Sequence, residues 1–353
     1  MIALFREGSL VPMLGVDFGT HTVKGVMLTG RSGKFVIEGA ADGAMPKGVL
    51  VDYQLQDIEK VGHVLKGLRR SLPTAGQFAA TAVTGSNVIS KVLLLDAGLS
   101  DAEFNAQVMQ EAEQLIPFPL DEISLDYEVL GLSSNDPERQ EVLLSAARTE
   151  SISGRVSALA EAGFVTKVMD VGAHALGRAV VACYPQLIES NKATAIVDIG
   201  ASALTFATMV RGEVIYSRLQ NFGGDQYTQA LSSFYGMTLE EAEQAKLTRN
   251  LPAGHDQDVT EPHLATLLQH IKRNTQLFCS SSGFRDISDL VLTGGASLVA
   301  GLPAYLAREL EIEVLHPDPF AEFGSQQIKE LGHGARYMTA FGLALRSFTP
   351  CQI

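Results

Sequence analysis

The chain has 353 residues, more than one typical core accommodates, so two or more domains are expected. Apolar residues make up 46% and charged residues 19%, and 27 Lys+Arg against 40 Asp+Glu leave a net charge of −13. This is the composition of a soluble globular protein, and its acidity argues against a nucleic-acid face, which needs a clustered basic footprint.

In chain order, Met1 to Pro12 has no apolar run long enough for a signal peptide, so a cytoplasmic protein is expected. The first strong signal is Leu14-Gly15-Val16-Asp17-Phe18-Gly19-Thr20, which continues through Lys24 to Leu28 as two apolar strands around an Asp-x-Gly-Thr turn. Gly19 can take φ > 0 and bare its backbone N–H groups, Thr20 adds a hydroxyl, and Lys24 returns an ammonium to the same point. Asp17 suits a hydrated Mg²⁺ better than a phosphate. Taken alone, this is also ordinary hairpin-turn chemistry. No Walker A loop is present: Gly25 and Gly30 have its first spacing, but Arg31 follows where Lys is required.

A strand over Lys34 to Ala41, a helix over Asp57 to Leu72 with Ile58, Val61, Val64, Leu65 and Leu68 on one stripe, and a strand over Ala79 to Val83 follow. This β-β-β-α-β order suits an α/β layer. Next come a strand over Val88 to Leu95 and a helix opened by the capping box Ser100-Asp101-Ala102-Glu103 and stopped by Pro117. Strands over Ser124 to Leu132 and Gln140 to Ala147, a helix over Ser151 to Ala162 and a strand over Val165 to Val171 complete a predicted β-α-β-β-α-β module. Ala173 to Cys183, rich in small residues, is a helix suited to close contact.

The hairpin pattern then repeats: Ala195-Ile196-Val197-Asp198-Ile199-Gly200 turns at Ala201-Ser202-Ala203 and returns through Leu204 to Ala207. The repeat predicts two similar halves, each presenting one turn to a ligand between them. With these two hairpins the sequence resembles the actin-like ATPase superfamily, with closest likeness to FtsA-type proteins and, among them, to the PilM family of type IV pilus assembly. The resemblance implies an actin-like (ribonuclease H-like) duplicated α/β core with an FtsA-type inserted 1C subdomain. The expected division is 1–86 (1A), 87–168 (the 1C insert), 169–193 (1A, connecting helix), 194–235 (2A), 236–275 (2B) and 276–353 (2A).

Three later elements agree with it. Asn221-Phe222-Gly223-Gly224-Asp225 is a double-glycine turn opening a helix, where N–H groups can face phosphate. The capping box Thr238-Leu239-Glu240-Glu241 opens a helix with Glu243 and Lys246 three apart on one face, which reads equally as a solvated ion pair. After a polar loop over Pro252 to Pro262 and a helix from His263 to about Cys279, a buried strand at Asp289 to Thr293 runs into Gly294-Gly295-Ala296-Ser297. Ala335 to Leu345 resembles a second connecting helix.

By resemblance, the cleft between the halves would hold ATP and Mg²⁺. Asp17 and Asp198 would face the hydrated metal, Gly19, Thr20 and Lys24 the β-phosphate, with Gly200 in the second phosphate turn. Gly223 and Gly224 would meet the phosphate chain, Glu243 and Lys246 the ribose and base, and Gly294, Gly295 and Ser297 the adenine. Ala201, Ser202, Ala203 and Leu204 stand where many hydrolysing members carry glycines and a threonine, so binding with weak or no hydrolysis is expected.

The implied role is a scaffold of the pilus inner-membrane complex that binds the cytosolic N-terminal segment of PilN between the insert and the first core half. Other inner-membrane and motor proteins of the pilus and a weak homo-oligomer are further implied contacts. An FtsA-like filament-forming ATPase or a sugar kinase of the same superfamily is the alternative. The stretch from Arg346 to Ile353 has one basic residue and a proline, so attachment to the inner membrane is expected through the partner, without direct insertion. Cys183, Cys279 and Cys351 are widely spaced and read as reduced packing residues, and the eight histidines suggest no metal constellation.

Overall fold

The computed structural model describes residues 12–31, 33–73, 76–85, 88–133 and 136–348. The readings placed on Met1 to Val11 and on Thr349 to Ile353 lie outside the described residues.

Apolar β-branched runs set the first sheet. β1 (Leu14–Phe18), β2 (Thr22–Arg31) and β3 (Lys34–Ala44) form an antiparallel meander. A two-residue hairpin, β4 (Leu50–Val51) and β5 (Gln54–Leu55), leads to α1 (Ile58–Ser71). Asp57 caps α1 by accepting the Lys60 N–H at 3.0 Å, while Val61, Leu65 and Leu68 bury its apolar stripe. β6 (Phe78–Val83) returns parallel to β1.

The chain then leaves the sheet. β7 (Ile89–Asp96), α2 (Asp101–Leu115), β8 (Ile123–Leu132) and β9 (Arg139–Arg148) form a three-stranded sheet in the order β7-β9-β8 with one covering helix. Leu93, Leu95, Phe104, Val108, Val142 and Leu144 give this insert a core of its own. Ser100 and Glu103 close the capping box read from the sequence.

The predicted six-element module is corrected here. α3 (Thr149–Glu161) packs on α1 through Ala158 and Leu159, and β10 (Val165–Val171) pairs in parallel with β6. Both belong to the first core sheet, whose order is β10-β6-β1-β2-β3. Local pattern gave the strand its type, while its partner was decided by the parallel crossover.

The second half repeats that plan. β11 (Thr194–Ile199), β12 (Leu204–Val210) and β13 (Glu213–Gln220) form the meander, and β14 (Asp289–Thr293) and β15 (Glu313–Leu315) add in parallel, giving β13-β12-β11-β14-β15. Reversed, this is the order of the first sheet. Between them lie α5 (Gly224–Tyr235), α6 (Leu239–Thr248), α7 (Glu261–Ser282) and α8 (Leu302–Leu310). The polar loop predicted before α7 contains a π-helical turn at Asp256–Thr260, and α7 starts two residues earlier than expected. Pro262 sits in its first turn, where no intrahelical N–H is needed.

Two helices tie the halves together. α4 (Gly172–Cys183) follows β10, and the short α9 (Pro319–Phe323) and α10 (Gln326–Lys329) precede α11 (Met338–Ala344). A Cβ on Gly342 would lie 1.8 Å from the Ala175 carbonyl oxygen, so only glycine permits the α4–α11 crossing. Val26, Leu28, Ile196, Met209 and Val291 from both sheets close over this crossing. No helix of the described residues is long and apolar enough to cross a membrane.

Candidate functional site

The two Asp-x-Gly turns are built alike. The Gly19 N–H donates to the Thr22 carbonyl at 3.0 Å, and the Gly200 N–H donates to the Ala203 carbonyl at 2.8 Å. Strand pairing sets Asp17 opposite Lys24 and Asp198 opposite Thr205. Neither turn glycine uses positive φ, contrary to the expectation for Gly19. What requires glycine is proximity: a Cβ on Gly19 would lie 2.8 Å from the Thr22 oxygen and 3.3 Å from Lys24 Nζ.

The turns face each other across one cavity of about 860 Å³ between the halves. Its floor carries Asp17, Gly19, Thr20, Lys24, Asp198 and Gly200. Lys24 Nζ lies 3.4 Å from Asp17 Oδ2 with both side chains largely shielded. Asp198 accepts a hydrogen bond from Thr293 Oγ1 at 2.8 Å. Its pKa is pushed up to about 6, first by burial and further by the Asp17 charge, against the Thr293 bond and Lys24. The hairpin tips touch, Ser202 Oγ donating to Thr20 Oγ1 at 3.0 Å.

Gly224, Glu243 and Lys246 form one wall and Gly294 and Gly295 another. Lys246 Nζ sits 2.6 Å from Glu243 Oε2 and donates to Thr228 Oγ1 at 2.7 Å, which locks α6 onto α5. Thus eleven of the thirteen residues read from the sequence line the cavity.

Two do not. Gly223 packs against the second hairpin, where a Cβ would lie 2.5 Å from both the Gly200 and Ala201 oxygens. Ser297 is fully buried behind the wall. The start of α5 also differs from expectation. The Gly223 N–H donates to Gln226 Oε1, the Gly224 N–H to the Gly200 carbonyl and the Asp225 N–H to the Ala201 carbonyl. The Gly224 and Asp225 N–H groups thus dock the second hairpin and the Gly223 N–H caps α5 itself, so none of the three points free into the cavity.

Several cavity residues carried no motif. His21 Nε2 meets Asp225 Oδ1 at 2.9 Å across the cleft, and this bond is the main cause of its raised pKa. Arg336 reaches Asp42 at 2.6 Å, and Tyr337 also donates to Asp42 at 2.7 Å. Only the meeting of the two halves brings these residues together. His263 and His270 flank Phe222 at ring distances of 4.9 and 4.7 Å.

The donor set suits a nucleoside phosphate: an ammonium and hydroxyls at the floor, narrow glycine turns, and a Glu–Lys pair on the wall. Among the described residues no group of three or more His, Cys, Asp or Glu can hold a metal. The two floor carboxylates, Asp17 and Asp198, would fit a hydrated Mg²⁺ carried by phosphate and bound largely through its own water.

The family model described as type IV pilus assembly protein PilM matches residues 15–348. A solved PilM-PilN type IV pilus biogenesis complex is similar with a TM-score of 0.83 at 26% identity, covering 97% of this chain and 100% of that one. Ethanolamine utilization protein EutJ from Carboxydothermus hydrogenoformans is similar in fold, with a TM-score of 0.59 at 16% identity, covering 95% of this chain and 89% of that one. MreB 5 of Spiroplasma citri, solved bound to AMPPNP, has a TM-score of 0.51 at 11% identity, with 94% of each chain covered. The repeated five-stranded halves are therefore an actin-like core, and the chain belongs to the type IV pilus assembly protein PilM family.

Proposed function

We propose that this type IV pilus assembly protein is an adaptor whose cleft binds ATP with Mg²⁺ and whose insert side receives the cytosolic N-terminal segment of PilN. The observation that carries the nucleotide reading is the cavity of about 860 Å³ walled by both halves, with the Asp17–Lys24 pair on its floor. Lys24 would neutralise phosphate, Asp17 and Asp198 would orient the metal's water, and the glycines would admit the ligand close to backbone. When bound, Mg²⁺ would supply charge neutralisation. The cleft geometry supports binding without efficient turnover: side chains of Ala201 and Ser202 occupy the second turn, and Ser202 already contacts Thr20.

Calorimetry with MgATP tests this. Asp17→Ala and Lys24→Ala are each expected to weaken binding about tenfold or more, because each leaves a partly buried partner unpaired. Unchanged affinity in both variants would reject the cleft as the nucleotide site.

The partner reading rests on the likeness to the solved PilM-PilN complex over nearly the full chain. An extended segment suits the boundary between the insert and the first half, and both parts keep exposed apolar side chains, Leu130 and Leu132 on the insert and Val51 and Val156 on the first half. In a cell the protein would then sit at the inner membrane through this partner and stay on its cytoplasmic side.

A further inference from the structure

Ser297 is fully buried and does not reach the cavity, yet its hydroxyl has two partners. It donates to the Gly294 carbonyl at 2.6 Å and lies 3.0 Å from His316 Nε2. A hydroxyl has one proton, so with that proton on Gly294 the imidazole must donate, which fixes His316 as the Nε2–H tautomer.

The turn held in this way is exacting. Gly294 has φ 90°, a conformation that disfavours any side chain, and a Cβ there would lie 2.4 Å from the Ile199 carbonyl oxygen. Its N–H donates to the Ala335 carbonyl at 3.1 Å. The turn therefore fits between β11, just before the second phosphate turn, and the segment that carries Arg336. On its other side His316 stacks on His333 with rings 4.6 Å apart, and His333 Nδ1 accepts the Ala335 N–H at 3.2 Å. Asp318 Oδ1 accepts N–H groups from Phe320, Ala321 and Gly334.

We propose that His316 and Ser297 are positioning residues, acting in series from behind the wall: His316 Nε2–H orients the Ser297 hydroxyl, which fixes the Gly294 carbonyl and so the shape of the Gly294–Gly295 face of the nucleotide cleft. The proposal rests on the nucleotide reading for its effect on affinity, while the relay itself is a property of the unliganded protein. Burial, followed by the neighbouring His333, lowers the His316 pKa and favours the neutral ring that this arrangement uses.

Two measurements on the full chain test it. Long-range ¹H–¹⁵N NMR of ¹⁵N-histidine protein at pH 7.5 is expected to show His316 as the neutral Nε2–H tautomer, with its Nε2 resonance moved by Ser297→Ala. A Nδ1–H tautomer, or no response to Ser297→Ala, overturns the relay. MgATP calorimetry is expected to show about five- to tenfold weaker binding in Ser297→Ala and in His316→Phe, the value of one hydrogen bond. His316→Phe keeps the stack on His333 and loses the donor, whereas His316→Gln keeps a donor and is expected to remain within about twofold of the parent. The double variant Ser297→Ala/His316→Phe should bind no more weakly than Ser297→Ala alone, as expected for residues acting in series. Parent-like binding by His316→Phe, or additive losses, overturns the proposal. A parent protein that binds no MgATP rejects the nucleotide reading instead, and the tautomer result then decides the relay.

Discussion

Asp198 combines two demands that conflict. Its carboxylate opens only to the cavity floor, so the charged form that would serve a metal is the form the fold disfavours, and its pKa rises to about 6. Between its ordinary value near 3.8 and 6 the folded protein holds a proton that the unfolded chain has released. The native state thus binds more protons in that window, and stability from this group falls as pH rises through it. Asp198→Asn keeps an acceptor for Thr293 without the charge. It is expected to be more stable than the parent by about 1–2 kcal/mol at pH 8 and to lose most of that advantage at pH 4. Urea melts at the two pH values measure this, and an equal difference at both would show a carboxylate well solvated through the cavity. The same variant should lose the Mg²⁺ dependence of nucleotide binding.

At the scale of elements, glycine decides the crossing of the two connecting helices. Gly342 faces the Ala175 backbone, which no rotamer change can move aside. Gly342→Ala is expected to cost about 3 kcal/mol or more, at the upper end for overpacked sites, whereas Gly67→Ala, in an α1 glycine with open space around it, should be neutral or slightly stabilising. Thermal melts of the two variants make the comparison; equal shifts would mean that the helices part at little cost. The insert offers a second test. Removing residues 89–148 takes out only the three-stranded sheet and its helix, while removing 87–168 also takes α3 and part of β10 from the first core sheet. The shorter deletion, bridged by a glycine-serine linker, is expected to melt cooperatively and the longer one to be unfolded by circular dichroism. The reverse order would return α3 and β10 to the insert.

At the scale of the whole molecule, contacts across the cleft join the halves: Thr20 with Ser202, His21 with Asp225, Asp42 with Arg336 and Lys47 with Glu240. The exposed Lys47–Glu240 pair contributes little by itself. Thr20, His21, Asp42, Ser202 and Arg336 line the cavity, so on the nucleotide reading occupancy is expected to be linked to the spacing of the halves. On the adaptor reading, recruitment to the membrane depends on the partner. Fractionation of cells lacking PilN is expected to leave the protein in the soluble fraction, and reintroducing PilN should return it to the inner membrane. Protein that stays with the membrane without PilN would point to a direct anchor.

The sequence by itself determined the repeated Asp-x-Gly hairpins, the capping boxes at Ser100 and Thr238, and the glycine pair after β14. These signals are local: strand alternation, turn chemistry and helix caps act over a few residues, and eleven of the residues they single out line the cavity. Tertiary structure alone decided that β10 joins β6, because parallel pairing depends on a crossover that leaves no mark within the strand. It likewise decided that Ser297 braces the wall from behind, and that the N–H groups opening α5 are taken by Gly200 and Ala201. His21, Asp42 and Arg336 acquire their places from the packing of two halves, where the partner of each lies far away in sequence and no spacing rule can reach it.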